Sequence, residues 1–324
     1  MDFQDNTILT PDNLALVTDL TSGFSQDQAE DLGFDVVGIP VNIFYADGES
    51  DFLGGNDLND EFYARLSDSK ITGAKTSSNV GSFLEVFKHR LSEGKLVIYL
   101  GVTDSLSSGM GNAALTAQDT IREENPELNA DNILALPTHC IAGGLGLGLR
   151  ILRDWLDAEP RTLDELKLKV EDIANHMAHI FTLFSYEFMK KSGRFSSKTD
   201  QLKIALAKTL KIYPVMLSPR KGPLQPTWQK VRGNKNLLER FADIYAETAQ
   251  DPETGVVEID YSGVSDDSNT AFVRVHELKE LLKQRFPEAE IRIERTAPSV
   301  GCHVGPDEMS MFFLQKEVRP DILD

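Results

Sequence analysis

The chain of 324 residues has few cysteines, little positive charge and no long apolar run. Its two cysteines, Cys140 and Cys302, cannot build a disulfide framework, so a reducing, cytoplasmic setting is expected. No apolar stretch approaches the ~18 residues of a membrane span. The opening residues Met1-Asp2-Phe3-Gln4-Asp5 lack the basic and apolar regions of a signal peptide. With 33 Lys and Arg against 51 Asp and Glu, the formal net charge of −18 argues against nucleic acid and anionic lipid surfaces as general partners. Catalytic signatures are missing too. There is no Gly-x-Ser-x-Gly elbow and no phosphate-cradling loop with lysine. The pairs His139-Cys140 and Cys302-His303 would supply four zinc ligands if they met. Adjacency makes joint coordination awkward, however, and zinc modules space their ligands further apart. Cys140 reads more simply as a small buried apolar residue.

What is present is an alternation of strand and helix signals. Leu14 to Thr18, Leu96 to Leu100 and Ile133 to Leu136 are short continuous apolar runs, the pattern of parallel strands covered on both faces. Val36 to Phe44 is a further extended run, interrupted by Pro40. Helices are predicted over Gln26 to Leu32, Asn59 to Leu66 and Val80 to Leu91, the last with Phe83, Leu84, Phe87 and Leu91 on one face. The glycine-rich run Gly143-Gly144-Leu145-Gly146-Leu147-Gly148 opens another helix, and so many glycines suggest a close approach by backbone or ligand. Its spacing is not a dinucleotide fingerprint.

A boundary is expected near Ala158-Glu159-Pro160. Thr162 to Glu165 then matches a capping box, and Leu163, Leu166, Val170, Ile173, Met177 and Ile180 follow at helical spacing. Strands are expected at Leu210 to Leu217, Thr227 to Val231, Val256 to Tyr261 and Ile291 to Arg295, with helices over Asn234 to Ala249 and Ser268 to Phe286. The reading is α/β: a doubly wound, mostly parallel N-terminal domain (1–158) followed by an α+β domain (159–324).

Three separated stretches are rich in hydroxyls: Thr18-Asp19, Thr76-Ser77-Ser78, and Thr103 through Gly109. Two of them follow predicted strands, where ligands of open α/β sheets bind. Taken singly, such hydroxyls are expected to cap helices, one of those at 76–78 serving the helix from Val80. Together, hydroxyls converging on one crevice can hold an anion by hydrogen bonding. Charge is also uneven. From Phe188 to Lys235 twelve Lys or Arg face Asp200 alone, either a solvated face or a docking patch for an acidic or phosphate-bearing partner.

The order of several motifs resembles the DegV family of fatty-acid-binding proteins. Val17-Thr18-Asp19-Leu20-Thr21, Lys75-Thr76-Ser77, Thr103 to Gly109 and Gly144 to Gly148 come in its sequence order. So do Glu187 to Arg194, Lys211 to Pro214, Lys230 to Gly233 and Val300 to Pro306. The resemblance implies a long acyl chain in a tunnel between the two domains, bound rather than turned over and needing no cofactor or metal. It implies that Thr76 and Ser107, with Ser77 and Ser108 beside them, hold the carboxylate. Arg194 would supply charge behind them, and His303 would lie at the mouth. It further implies presentation of the carboxylate to a fatty acid kinase subunit, for which segment 188–235 is the expected docking patch. Ser105 and Ser108 stand where the family usually has glycine, Ser192 replaces another glycine, and Cys302 replaces a threonine. Two alternatives remain: an acyl hydrolase or transferase using Ser107 as nucleophile with His303 as base, and a carrier of another lipid anion.

Overall fold

The computed structural model describes residues 3–53, 59–66, 68, 70–102, 108–184, 212–220 and 225–321. The chain begins with β1 (Ile8–Leu9), β2 (Leu14–Asp19), α1 (Gln26–Asp31), β3 (Phe34–Val37), β4 (Val41–Tyr45) and β5 (Ser50–Leu53). Next come α2 (Asn59–Leu66), β6 (Ile71–Thr76), α3 (Val80–Ser92), β7 (Leu96–Tyr99), α4 (Ser108–Glu124), β8 (Ile133–Ala135) and α5 (Gly143–Ala158). Beyond it lie β9 (Arg161–Thr162), α6 (Leu163–His176), β10 (Met177–Leu183), β11 (Ile212–Leu217), β12 (Gln225–Arg232) and α7 (Asn234–Thr248). The last elements are β13 (Val256–Tyr261), α8 (Thr270–Arg285), β14 (Glu290–Arg295), α9 (Pro298–Val304) and β15 (Glu308–Leu314).

Among the described residues, β3, β2, β7 and β8 form a parallel sheet in that order. Successive side chains point to opposite faces, and here both faces are covered. Ala15, Val17, Val97 and Tyr99 pack with Phe83 and Phe87 of α3 and with Ala113 and Ala117 of α4. Leu16, Leu96 and Ile98 pack on the other side with Leu145, Leu149 and Leu152 of α5. Two-sided burial is why these strands read as continuous apolar runs.

The second large sheet has the order β12-β11-β10-β15-β13-β14, antiparallel except for the parallel pair β13–β14. Its outer face is apolar: Ala178, Ile180, Val257, Ile259, Met309, Met311 and Phe313 pack under α7 and α8. Its inner face lies against α5 and carries Met177, His179, Phe181, Glu258, Asp260, Glu308, Ser310 and Phe312. A small antiparallel sheet, β5-β4-β6, completes the part that concerns function.

One expectation from the sequence is corrected and another is refined. The helical spacing through Met177 and Ile180 does not continue. The capping box at Thr162 and Glu165 forms, but α6 ends at His176 and Met177 to Leu183 becomes β10. Seven consecutive residues there register with β15, and that long-range ladder overrides the local period. The run from Val36 to Phe44 is likewise two strands in two sheets, β3 in the parallel sheet and β4 in the small one, separated around Pro40. Proline cannot donate to a ladder and breaks the run there.

Candidate functional site

The carboxyl ends of the parallel strands are tied together by a buried network. Thr18 Oγ1 donates to the Leu100 carbonyl at 2.7 Å. Asp19, wholly buried, accepts from the Tyr99 hydroxyl at 2.6 Å, from Val102 N at 3.2 Å and from Thr21 N at 2.8 Å. Burial pushes the Asp19 carboxyl above the usual carboxylate range, and its hydrogen bonds pull partly back. Gly101 must be glycine: a Cβ there would sit 2.0 Å from the Tyr99 hydroxyl and 2.3 Å from Asp19 Oδ2. The β8 end joins in, with Thr138 Oγ1 donating to the Gly101 carbonyl at 2.8 Å. The hydroxyl of Thr18 is therefore structural and does not face a ligand.

Thr76 ends β6, half-buried and paired with Val41 of β4. Ser77 follows, exposed. Its N–H donates to the Pro40 carbonyl at 2.9 Å, and its hydroxyl accepts from Asn42 Nδ2 at 3.0 Å. Neither residue caps α3, because Asn79 does, accepting from Ser82 N at 3.3 Å. The helix cap expected of the hydroxyls at 76–78 is thus supplied by the next residue, and their side chains are not consumed in it.

His303 sits in the last turn of α9, half-buried, and α9 packs directly against β6, the strand that Thr76 ends. Several contacts hold α9 there. Tyr63 of α2 is fully buried and donates its hydroxyl to the Thr296 carbonyl at 2.7 Å. A Cβ on Gly301 would fall 2.3 Å from that hydroxyl, so the backbone of α9 approaches Tyr63 as only glycine allows. Ser299 Oγ reaches the Leu20 carbonyl at 3.4 Å, linking α9 to the end of β2. Ser262 Oγ donates to the Gly305 carbonyl at 2.6 Å and pins the turn after His303. Thr76, Ser77 and His303 are therefore carried on neighbouring elements. Ser107 and Arg194 lie outside the described residues, and Ser108 is described only as the first residue of α4.

The sequence reading missed a polar cluster on the inner face of the mixed sheet. Glu258, Asp260 and Glu308 are each no more than 3% exposed. Burial, with Glu294 adding repulsion, pushes Glu258 up to about 8. Burial and the neighbouring Glu258 push Asp260 well above its ordinary value. Burial raises Glu308 to about 7 despite hydrogen bonds from Ser310 and Thr296. The only signal in the sequence was the pair of acids alternating with apolar residues in Val256-Val257-Glu258-Ile259-Asp260-Tyr261.

His179 Nε2 contacts Ser310 Oγ at 3.3 Å, and Ser310 in turn donates to Glu308. This is not a nucleophile–base–acid relay, because the serine sits between the other two. Burial pushes His179 down to about 3, and its ring is stacked between Phe181 and Phe312. Such an imidazole is a poor base. Cys140 and Cys302 are thiols buried in separate cores, so the two Cys/His pairs do not meet.

A cleft of about 770 Å³ opens at the amino ends of the parallel strands, lined by Leu14, Phe34 and Lys95 among others. Its cations are already engaged: Arg90 with Asp35, Lys95 with Glu93, and Arg153 with Asp157. At the opposite end, a void of about 20 Å³ lies between Leu100, Cys140, Gly144 and Ile173. The carboxyl-end side, where Thr76, Ser77 and His303 stand, is the better candidate for ligand chemistry.

The profile of the DegV family, described as "Uncharacterised protein, DegV family", matches residues 13–316. A DegV domain-containing protein of Clostridium perfringens is 24% identical over 308 residues, covering 94% of this chain and 98% of its own length. The structure of a fatty-acid-binding DegV family protein from Thermus thermophilus superposes with a TM-score of 0.74 at 21% identity, covering 94% of this chain and 99% of that one. The Streptococcus pneumoniae Fatty Acid Kinase (Fak) B3 protein, loaded with linoleic acid, superposes with a TM-score of 0.69 at 18% identity, covering 93% and 99%. Identities this low establish a shared fold. With a profile match running from before β2 to beyond β15 and the same architecture in solved relatives, the chain belongs to the DegV family.

Proposed function

We propose that this chain is a non-catalytic carrier that binds a long-chain fatty acid in a tunnel between an α/β domain (1–158) and an α+β domain (159–324). The observation that carries the reading is the packing of α9, with His303, against the strand that ends in Thr76 and leads to Ser77. It is supported by the fatty acids bound by solved proteins of the same fold. In this reading Thr76 and Ser107, with Ser77 and Ser108 beside them, donate to the carboxylate. Arg194 supplies charge and His303 borders the mouth.

The physics favours such a division of labour. Each buried CH2 contributes about 0.8 kcal/mol, whereas an unpaired buried carboxylate would cancel much of the gain. Charge-assisted hydrogen bonds offset that penalty. We further propose that the basic segment 188–235 docks a kinase subunit that phosphorylates the carboxylate, and that the protein works in the cytoplasm. Arg220 is not part of that surface, because its guanidinium forks onto Asp321 and Asn175. Among the described residues, no helix is long and apolar enough to cross a membrane.

The first test is native purification from a bacterial host, denaturation, and mass spectrometry of any released lipid. A stoichiometric fatty acid that is lost in Thr76→Ala supports the reading. Failure to retain or take up any fatty acid would overturn it, and a different lipid anion in its place would favour the other carrier. Acyl ester turnover abolished by Ser107→Ala would move the protein to the hydrolase class. Charge reversal at Lys230 and Arg232 should weaken kinase coupling while lipid binding persists, and unchanged coupling would remove the docking patch.

A further inference from the structure

The start of α5 lacks a cap of its own. Its N-cap residue is Ala142, which has no side-chain hydrogen bond to offer and adopts φ +54°, a left-handed conformation that alanine rarely takes. The cap comes instead from the other sheet: Asp260 Oδ2 accepts from Gly143 N at 2.8 Å, across 117 residues of sequence. A carboxyl at a helix amino terminus is favourable, since the unpaired N–H groups and the helix dipole both attract it.

Glu258 reaches the same spot. A Cβ built on Gly143 would lie 2.6 Å from Asp260 Oδ1 and 2.7 Å from Glu258 Oε1, so the two carboxyls converge on the space a side chain would fill. Glu258 Oε1 would also lie 3.5 Å from a Cβ on Gly146. Both acids are 2% exposed, and Glu258 Oε2 and Asp260 Oδ1 find no hydrogen-bond partner among the described residues. Other elements add charge of both signs. Arg150 of α5 and Arg292 of β14 attract Glu258, whereas Glu294 of β14 repels both acids and Glu308 of β15 repels Asp260, which Tyr63 of α2 also faces. His179 of β10 stands behind Ser310 and is held neutral by burial. Two adjoining buried carboxyls cannot both ionise cheaply.

We propose that Glu258 and Asp260 form a protonation-dependent latch, which clamps the glycine-rich start of α5 to the mixed sheet while the pair keeps a proton and loosens when both carboxyls are ionised. The raised pKa of Glu258, about 8, puts loosening on the alkaline side of neutrality. The latch joins the helix that covers the parallel sheet to the inner face of the mixed sheet, so it governs how tightly the two sheets are held together. It does not depend on which ligand the protein binds.

The test is hydrogen–deuterium exchange of the full chain at about pH 6.5 and about pH 9.5, corrected for intrinsic exchange and compared with α8 as an internal reference. Protection of the amides around Gly143 to Leu147 should fall at least about tenfold between the two conditions, while α8 changes little. In Glu258→Gln, which leaves Asp260 as the cap and removes one ionisable group, the fall should shrink to about twofold or less. Asp260→Asn keeps an acceptor for Gly143 N and should behave alike, which guards against a failure of the first variant to fold. Protection in the parent that tracks α8 would overturn the latch. So would an undiminished fall in whichever amide variants fold.

Discussion

The parallel sheet and the mixed sheet bury their two faces by different means. In the parallel sheet both faces are apolar, with Ala15, Val17, Val97 and Tyr99 on one side and Leu16, Leu96 and Ile98 on the other. In the mixed sheet the face under α7 and α8 is apolar, but the face under α5 holds Glu258, Asp260 and Glu308, as thoroughly buried as their aliphatic neighbours. The first sheet is held mainly by apolar contact, with one buried carboxyl, Asp19, at its strand ends, so its stability should be indifferent to pH wherever Asp19 does not titrate. The second keeps carboxyls protonated, and its stability is linked to pH. A sheet that alternates apolar and acidic residues does not have to face water; here glycines in the covering helix let its backbone reach the acids.

The comparison can be broken most directly in the parallel sheet. Phe87→Ala empties a fully buried site between α3 and that sheet. The loss should be about 3–5 kcal/mol in denaturant titration and should be the same at acid and neutral pH. A strong pH dependence would show that the two sheets are not energetically distinct. Gly143→Ala should cost about 1–3 kcal/mol, because its methyl would strike Asp260 and Glu258 and force the helix from the sheet. A neutral outcome would mean that α5 and the mixed sheet are not in tight contact.

Glu258→Gln sharpens the comparison through its sign. The folded pKa of Glu258 is raised, so its contribution is complete below the unfolded value of about 4.3 and is lost as pH climbs towards about 8. Glu308, raised to about 7, acts in the same direction over a narrower window. Buried His179, held down at about 3, acts the other way and adds stability as pH rises to about 6.5. The check is therefore the difference between the two proteins: the parent should lose stability relative to the glutamine variant from about pH 4.5 to about pH 8, by on the order of 1–2 kcal/mol over that range. Parallel profiles would deny Glu258 its buried proton. The smallest effect belongs to a site remote from either contrast: Thr162→Ala removes the cap of α6 and should cost about 1 kcal/mol, with no change in lipid retention.

Much of the parallel sheet was legible because two-sided burial writes itself into Leu96-Val97-Ile98-Tyr99 as an unbroken apolar run. The small sheet was not. Its strand β6, Ile71-Thr72-Gly73-Ala74-Lys75-Thr76, is mostly polar or small and carries no period strong enough to declare a strand. β10 was misread for another reason: Met177 and Ile180 continue the helical spacing of α6, and only pairing with β15 turns them into a strand. At the candidate site, Thr76, Ser77 and His303 stood out through the order of family motifs rather than through local chemistry. Tyr63, which anchors the helix carrying His303, gave no signal at all, since its partner is a backbone carbonyl 233 residues away.

By itself the sequence determined what depends on near neighbours. That includes the alternation of helices and strands, the Thr162–Glu165 capping box, the strong net negative charge and the break at Pro40. Tertiary structure alone decided which faces meet. Asp260 reads locally as a solvent-facing acid of an alternating strand, and becomes a buried helix cap only because Gly143 arrives at the start of α5. The reason is physical: a propensity acts over a few residues, whereas the dielectric around a carboxyl is set by whatever the whole chain packs against it.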